Sequence, residues 1–361
     1  MDGRRTAVHS GRMDLAHSLA EDEFEPALTH LATASAGLLP LSAARAVHEA
    51  VDASAAGAPP DMFGAMEAAR ASFARLVGVS AERVATGSSV ATFTGLIASS
   101  LPDGAEVLTA EGDFSSLVNP FHVRPGLTVR TVPLERIAEH VTEATALVAV
   151  SAVQSADGRR ADLAAVREAA RAHGARTLID ASQAAGWDTL DADAYDYTVA
   201  VGFKWLLCPK GTAFLTVPAG LGAPPPLLAG WVAGRLPYES CYGPVTEPAR
   251  SARRYDESPA LFSWAGAPQA LALLERVGTE AVGAHDVALA ERFRERLTRA
   301  GHAPVPAPGS AIVSVPGLGE RAKALGERGI TVSDRAGMLR AAFHLYNTES
   351  DVDRLAAALG G

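Results

Sequence analysis

A mainly parallel α/β sheet joined to a smaller second domain is the architecture this sequence predicts, and three observations lead to it. Between about residues 60 and 220, short β-branched or apolar runs alternate with amphipathic stretches at helical spacing, the pattern of strand-helix-strand units. The chain has 361 residues, 48% of them hydrophobic, which is enough for a large core and for two domains. From roughly residue 267 the alternation gives way to a long helical pattern, which begins the second domain.

Taken in order, the strand candidates are residues 83–85, 106–109, 128–132, 145–150, 177–179 and 212–217. Helices fill the gaps between them. Residues 163–174 place apolar side chains at helical spacing and end on Gly174, which can supply a left-handed cap. Residues 218–250 are rich in Pro and Gly and read as a long excursion, which in a compact domain usually has a function. After residue 267 one long helix is expected through Leu289, Phe293 and Leu297, then a small β and α unit that closes with Asp351 to Leu359.

Composition excludes several classes of function. A net charge of -9 with scattered basic residues argues against nucleic acid as a partner. The apolar runs fall short of a membrane span, and Asp14, Glu21, Asp22 and Glu23 stand where an export signal needs an apolar core, so a cytoplasmic enzyme is expected. Cys208 and Cys241 form no CxxC pair, and the ten histidines never fall at HxH or HExxH spacing, so no metal site is expected.

Only three of the 32 basic residues are lysines: Lys204, Lys210 and Lys323. Where Arg serves for plain charge, a retained Lys is a candidate for work that needs an amine. A guanidinium stays protonated, whereas a desolvated ammonium can lose its proton and form a Schiff base with a carbonyl. Lys204 lies 24 residues after Asp180, which ends a strand candidate. Together they supply what pyridoxal phosphate requires, an amine for its aldehyde and a carboxylate for its pyridinium nitrogen. The alternative is that Lys204 survives by chance, as Lys323 does in the helical Glu320-Arg321-Ala322-Lys323.

Further candidates follow the strands. Thr86-Gly87-Ser88-Ser89-Val90-Ala91-Thr92 opens a helix, where Gly87 admits an anion to the backbone and Ser88 and Ser89 add hydroxyl donors to the free N–H groups. It is equally an ordinary serine N-cap. Phe114 could stack on a flat ring or belong to the core. Gln183, three residues after Asp180, could donate to a phenolic oxygen. Arg340 has the planar fork that clamps a carboxylate, or is a strand arginine facing water.

These residues resemble the class V aminotransferase family of pyridoxal phosphate enzymes, the group that holds cysteine desulfurases, isopenicillin N epimerase-like enzymes and kynureninases. The resemblance runs over about residues 29–359. Asp180-Ala181-Ser182-Gln183-Ala184 is similar to the family's Asp-x-x-His/Gln-Ala element, and Phe203-Lys204-Trp205-Leu206-Leu207-Cys208-Pro209-Lys210-Gly211 to its lysine segment. Arg254-Tyr255-Asp256-Glu257-Ser258-Pro259 resembles the Arg-Phe-Glu-x-Gly-Thr-Pro stretch, and Tyr346-Asn347-Thr348 begins a segment like the C-terminal signature. The resemblance implies fold-type I, with residues 1–50 joining the small domain, 51–265 forming the large cofactor domain and 266–361 the small one. It implies a homodimer with shared active sites, in which Ser258 reaches the neighbouring subunit's phosphate.

Departures from the family pattern shape the expected chemistry. Val201-Gly202-Phe203 stands where desulfurases have Ser-x-His, so Ser88, Ser89, Ser258 or Trp231 must hold more of the phosphate. Ala152 occupies the place of a common Asn, which leaves Gln183 as the candidate for the ring oxygen. Only Ser333 to Leu339 lie where the desulfurase nucleophile loop would be. The expected enzyme therefore uses Lys204 and Asp180 on the Cα of a small amino-acid substrate held by Arg340. Its expected reaction is lyase (C–S or β-elimination) or epimerase-like, not persulfide-forming. Aminotransfer is the alternative, and a non-catalytic binding protein of the same fold is the alternative from another class.

Overall fold

The computed structural model describes residues 16–220 and 224–360. Asp14 and part of the 218–250 excursion lie outside them. The short N-terminal strand β1 (Thr29–His30) is followed by helices α1 (Leu41–Ala55) and α2 (Met62–Leu76) and then by the first strand of the main sheet, β2 (Val84–Gly87). Helix α3 (Val90–Ser100) leads to β3 (Glu106–Ala110), α4 (Ser115–Val123) to β4 (Thr128–Val132) and β5 (Thr145–Ser151), and α5 (Leu163–His173) to β6 (Arg176–Asp180). Two further strands, β7 (Tyr197–Val201) and β8 (Ala213–Thr216), complete the sheet in the order β2-β8-β7-β6-β5-β3-β4. Only β8 runs against the others.

Neighbouring residues of one strand serve opposite cores, as the two-residue strand period requires. Leu147 and Ala149 of β5 pack with α3 and α4, whereas Val148 and Val150 face the other layer with α2 and α5. Both faces are covered, so the central strands are buried, whereas the edge strand β4 is partly exposed. One strand of the main sheet, β7, was absent from the sequence-based expectation. Tyr197 to Val201 is wholly buried, shows no alternation of polar and apolar side chains, and merges with the segment leading to Lys204.

The expected long helix is two helices, α6 (Leu261–Val277) and α7 (Thr279–Arg299), separated at Gly278 with φ of 85°. Helix α6 packs on α1 and α2, whereas α7 turns away to carry Leu289, Phe293 and Leu297 into a separate core. That core is completed by β9 (Ile312–Pro316), α8 (Arg321–Glu327), β10 (Ile330–Thr331), β11 (Ser333–Arg335), β12 (Met338–Ala342) and α9 (Glu349–Leu359). Strand β1 pairs with β10, which places the segment after His30 between the two cores. Among the described residues no helix is long and apolar enough to cross a membrane, and no cluster of three or more His, Cys, Asp or Glu side chains could hold a metal ion.

Candidate active site

The carboxyl ends of the parallel strands converge on one cavity of about 380 Å³, the position where open α/β sheets bind ligands. Strand β6 ends at Asp180, which is 3% exposed, and its Oδ1 accepts a 2.8 Å hydrogen bond from the Ser182 N–H. Burial pushes the Asp180 carboxyl above its ordinary value, opposed by the Ser182 hydrogen bond and the positive charge of Lys204. Adjacent β7 runs directly into Gly202-Phe203-Lys204. Lys204 is 6% exposed, and burial lowers its ammonium to about 8. Asp180 pulls that value back up, while Arg340 and Arg335 push it further down.

The lysine segment is fastened from three sides. Gly37 donates its N–H to the Phe203 carbonyl at 3.0 Å, and a Cβ on Gly37 would lie 2.2 Å from the Lys204 oxygen, so only glycine allows this approach. Trp205 donates its Nε1–H to Gln183 Oε1 at 2.7 Å. Its carbonyl faces His344 Nε2 at 3.1 Å, while His344 Nδ1 meets buried Asp286 at 2.9 Å. Helix α7, through Asp286, and the segment after β12, through His344, therefore grip the residue next to Lys204.

Phe114 follows β3, and its ring centroid lies 4.9 Å from Lys204 Nζ. Its backbone is held by buried Asp113, which accepts from the Phe114 N–H at 2.7 Å and from the Ser151 N–H at 2.9 Å. On the opposite wall Arg340, 1% exposed, donates to Ser155 Oγ at 3.0 Å, to the Ser155 carbonyl and to Ser35 Oγ at 2.7 Å. Burial, then the charge of Arg335, lowers the Arg340 guanidinium to about 9.

Of the residues singled out from sequence, Ser88, Ser89, Phe114, Lys204 and Arg340 line this one cavity, with Asp180 behind its floor. Ser89 caps α3 by accepting from the Thr92 N–H at 3.2 Å, and exposed Ser88 stands beside that helix end. Gly87 also answers a packing requirement, since a Cβ there would meet the Phe93 ring at 2.7 Å. Gln183 stands behind the wall, its amide donating to the Ala34 carbonyl at 2.9 Å and to Ser155 Oγ at 3.0 Å. Both amide hydrogens are thereby engaged in the scaffold. Trp231 packs edge-on against Phe63 at 5.7 Å, and exposed Ser258 follows Glu257; neither lines the cavity.

Among the wall's polar residues, Ser35, Ser116, Ser155, Ser182, Lys210 and Arg335 were missed. Lys210 had a signal, being one of the three lysines. The wall's charged side chains are Lys204, Lys210, Arg335 and Arg340, with no carboxylate or thiol among the lining residues. Cys208 is buried elsewhere, with its thiol pushed far up by burial, and Cys241 is exposed away from the wall.

The arrangement fits a cofactor that bears an aldehyde, a pyridine nitrogen and a phosphate. A desolvated amine, a buried carboxylate beside it, an aromatic face and an open helix N-terminus all meet at one space. Comparison with known proteins agrees. Residues 46–355 match the family Aminotransferase class-V. The isopenicillin N epimerase of Streptomyces clavuligerus is 28% identical over 93% of this chain and 95% of its own length. An uncharacterized aminotransferase, YcbU of Bacillus subtilis (strain 168), is 28% identical over 81% of this chain and 83% of its own. Among solved structures, the cystine C–S lyase C-DES in complex with cysteine persulfide superposes with a TM-score of 0.82 at 24% identity, covering 92% of this chain and 97% of that one. A single cavity with this lysine and carboxylate, set in this sheet and matched over most of its length, makes the chain a member of the aminotransferase class-V family, an enzyme whose cofactor is pyridoxal phosphate.

Proposed function

We infer that the enzyme removes the Cα proton of an amino-acid substrate and completes either a β-elimination or an epimerisation. The observation that supports this most is the wall itself, on which Lys204 is a base of lowered pKa and no thiol is present. At pH 7 an amine of pKa about 8 is neutral roughly a tenth of the time, against less than one part in a thousand at its ordinary value. It is thus both nucleophile and base at neutral pH. When bound, the cofactor supplies an aldehyde for that amine and a sink for the electron pair left at Cα. Asp180 would hold a proton on the pyridine nitrogen, Ser88, Ser89 and the α3 N-terminus would hold the phosphate, and Phe114 would cover one ring face. Arg340 orients the substrate through its carboxylate.

Persulfide chemistry is disfavoured because β11 and β12 are joined by Ala336 and Gly337 alone, which leaves no loop to deliver a thiol. Aminotransfer is the second reading, supported by the aminotransferase relative. The homodimer reading rests on exposed Ser258 and on Tyr238 and Tyr242, 75% and 95% exposed on the excursion. In that dimer Ser258 and Trp231 serve the neighbouring subunit's phosphate. The deciding experiment incubates the cofactor-loaded enzyme with amino acids in D2O and follows Cα deuterium by mass spectrometry, then identifies the product. Exchange with inversion supports epimerisation, and exchange with pyruvate or another elimination product supports the lyase. Sulfide release from cysteine that vanishes in Cys241→Ser would refute both.

A further inference from the structure

The chemistry above leaves Arg335 unused, although its guanidinium enters the same cavity. Arg335 pairs with Met338 across a two-residue turn, in which Ala336 and Gly337 have φ of 51° and 77°. Positive φ at both positions is the tight hairpin geometry that glycine and asparagine favour, and an alanine held there is strained. The rigid turn fixes the direction in which Arg335 leaves the sheet.

That direction brings it to Arg340. Ser35 Oγ accepts from Arg340 Nη2 at 2.7 Å and from Arg335 Nη2 at 2.9 Å, and lies 2.8 Å from Ser333 Oγ. A hydroxyl has two lone pairs and one hydrogen, so both lone pairs go to guanidiniums and the hydrogen to Ser333. One serine therefore holds two like charges side by side. The hydrogen bonds of the two guanidiniums go to serine hydroxyls and backbone carbonyls, and among the described residues no acid lines the wall. The two guanidiniums also differ in depth, Arg340 being 1% exposed and Arg335 lying exposed at the mouth. A deep cation and a mouth cation suit two anionic groups separated along one ligand.

We propose that the substrate is a dicarboxylic amino acid, with Arg340 taking the α-carboxylate and Arg335 selecting the side-chain carboxylate. This rests on the amino-acid reading above. The test is calorimetric binding of glutarate and butyrate to the cofactor-loaded wild type and to Arg335→Gln, Arg335→Lys and Arg340→Gln. Wild type is expected to bind the dicarboxylate at least about tenfold more tightly than the monocarboxylate, the scale of one charge-assisted hydrogen bond. Arg335→Gln should abolish that ratio and leave butyrate binding intact, Arg335→Lys should keep part of it, and Arg340→Gln should weaken both ligands. Because Arg335 is exposed at a hairpin tip, its variants should fold, which circular dichroism checks. Equal binding of the two ligands by wild type overturns the proposal. So does an equal loss of both in Arg335→Gln, which would mean that the two arginines grip one carboxylate. Visible absorbance of each protein separates the two levels: failure to take up cofactor refutes the functional reading itself, whereas a loaded enzyme without dicarboxylate preference refutes only this assignment.

Discussion

Replacing Lys204 with methionine is expected to stabilise the cofactor-free protein at neutral pH, by an amount that depends on pH. Burial holds the Lys204 ammonium at about 8, below its ordinary 10.5, so the unfolded chain binds the proton more tightly than the folded one. Stability therefore rises with pH through the window between those two values, and the full cost of the buried charge is present below about 8. A shift of that size is worth about 3 kcal/mol at pH 7 and under about 1 kcal/mol at pH 10, at 1.36 kcal/mol per pH unit. Lys204→Met removes the cost because its side chain is of similar length and uncharged. The attraction between Asp180 and the lysine is already contained in the value of about 8, so it needs no separate allowance while Asp180 stays ionised. The difference between pH 7 and pH 10, about 2 to 3 kcal/mol, is therefore the diagnostic quantity. Urea denaturation of wild type and variant at the two pH values measures it. A variant whose advantage is absent at pH 7, or unchanged at pH 10, would refute the claim that Lys204 is held partly deprotonated by burial.

Other substitutions test the scaffold. Asp256→Asn breaks the buried bidentate pair with Arg70, whose closer contact is 2.6 Å, and also loosens the Thr86 N–H held at 2.8 Å. It should cost about 3 to 5 kcal/mol of stability and weaken cofactor binding through the adjacent turn at Ser88 and Ser89, which urea denaturation and cofactor titration will show; a cost below about 1 kcal/mol would contradict a dry, buried pair. Gly37→Ala forces a Cβ against the Lys204 carbonyl and should cost about 1 to 3 kcal/mol with slower cofactor uptake, and wild-type stability would mean that the N-terminal segment is not tightly seated there. Asp180→Asn should still fold but turn over far more slowly, because charge developing in the transition state loses its sink; a near-normal rate would assign the ring proton to another group.

Much of the main sheet and its helices was legible because they obey simple periods. Six of the seven sheet strands were found as short apolar runs, and the seventh, β7, escaped because it merges with the segment leading to Lys204 and has no alternation to set it apart. The break between α6 and α7 was written in Val277-Gly278-Thr279, but the apolar pattern on either side concealed it. At the site, Lys204 and Asp180 were legible because chemistry restricts which side chains can do their work. Ser35 and Ser155 were not. They come from segments that only the tertiary fold brings beside Arg340, and a serine in a loop has no distinguishing pattern. Gln183 shows the converse: the motif located it, while the contacts with Ala34, Ser155 and Trp205 that occupy its amide depend on the tertiary fold.

The central claim is that Lys204 is the amine that holds the cofactor. Because the chain has only three lysines, the most direct measurement is to load the protein with pyridoxal phosphate, fix the adduct with borohydride and map the modified peptide by mass spectrometry. Modification confined to Lys204, and lost in Lys204→Ala, is the result this account predicts. Stoichiometric modification at Lys210 or Lys323, with Lys204 untouched, would contradict it.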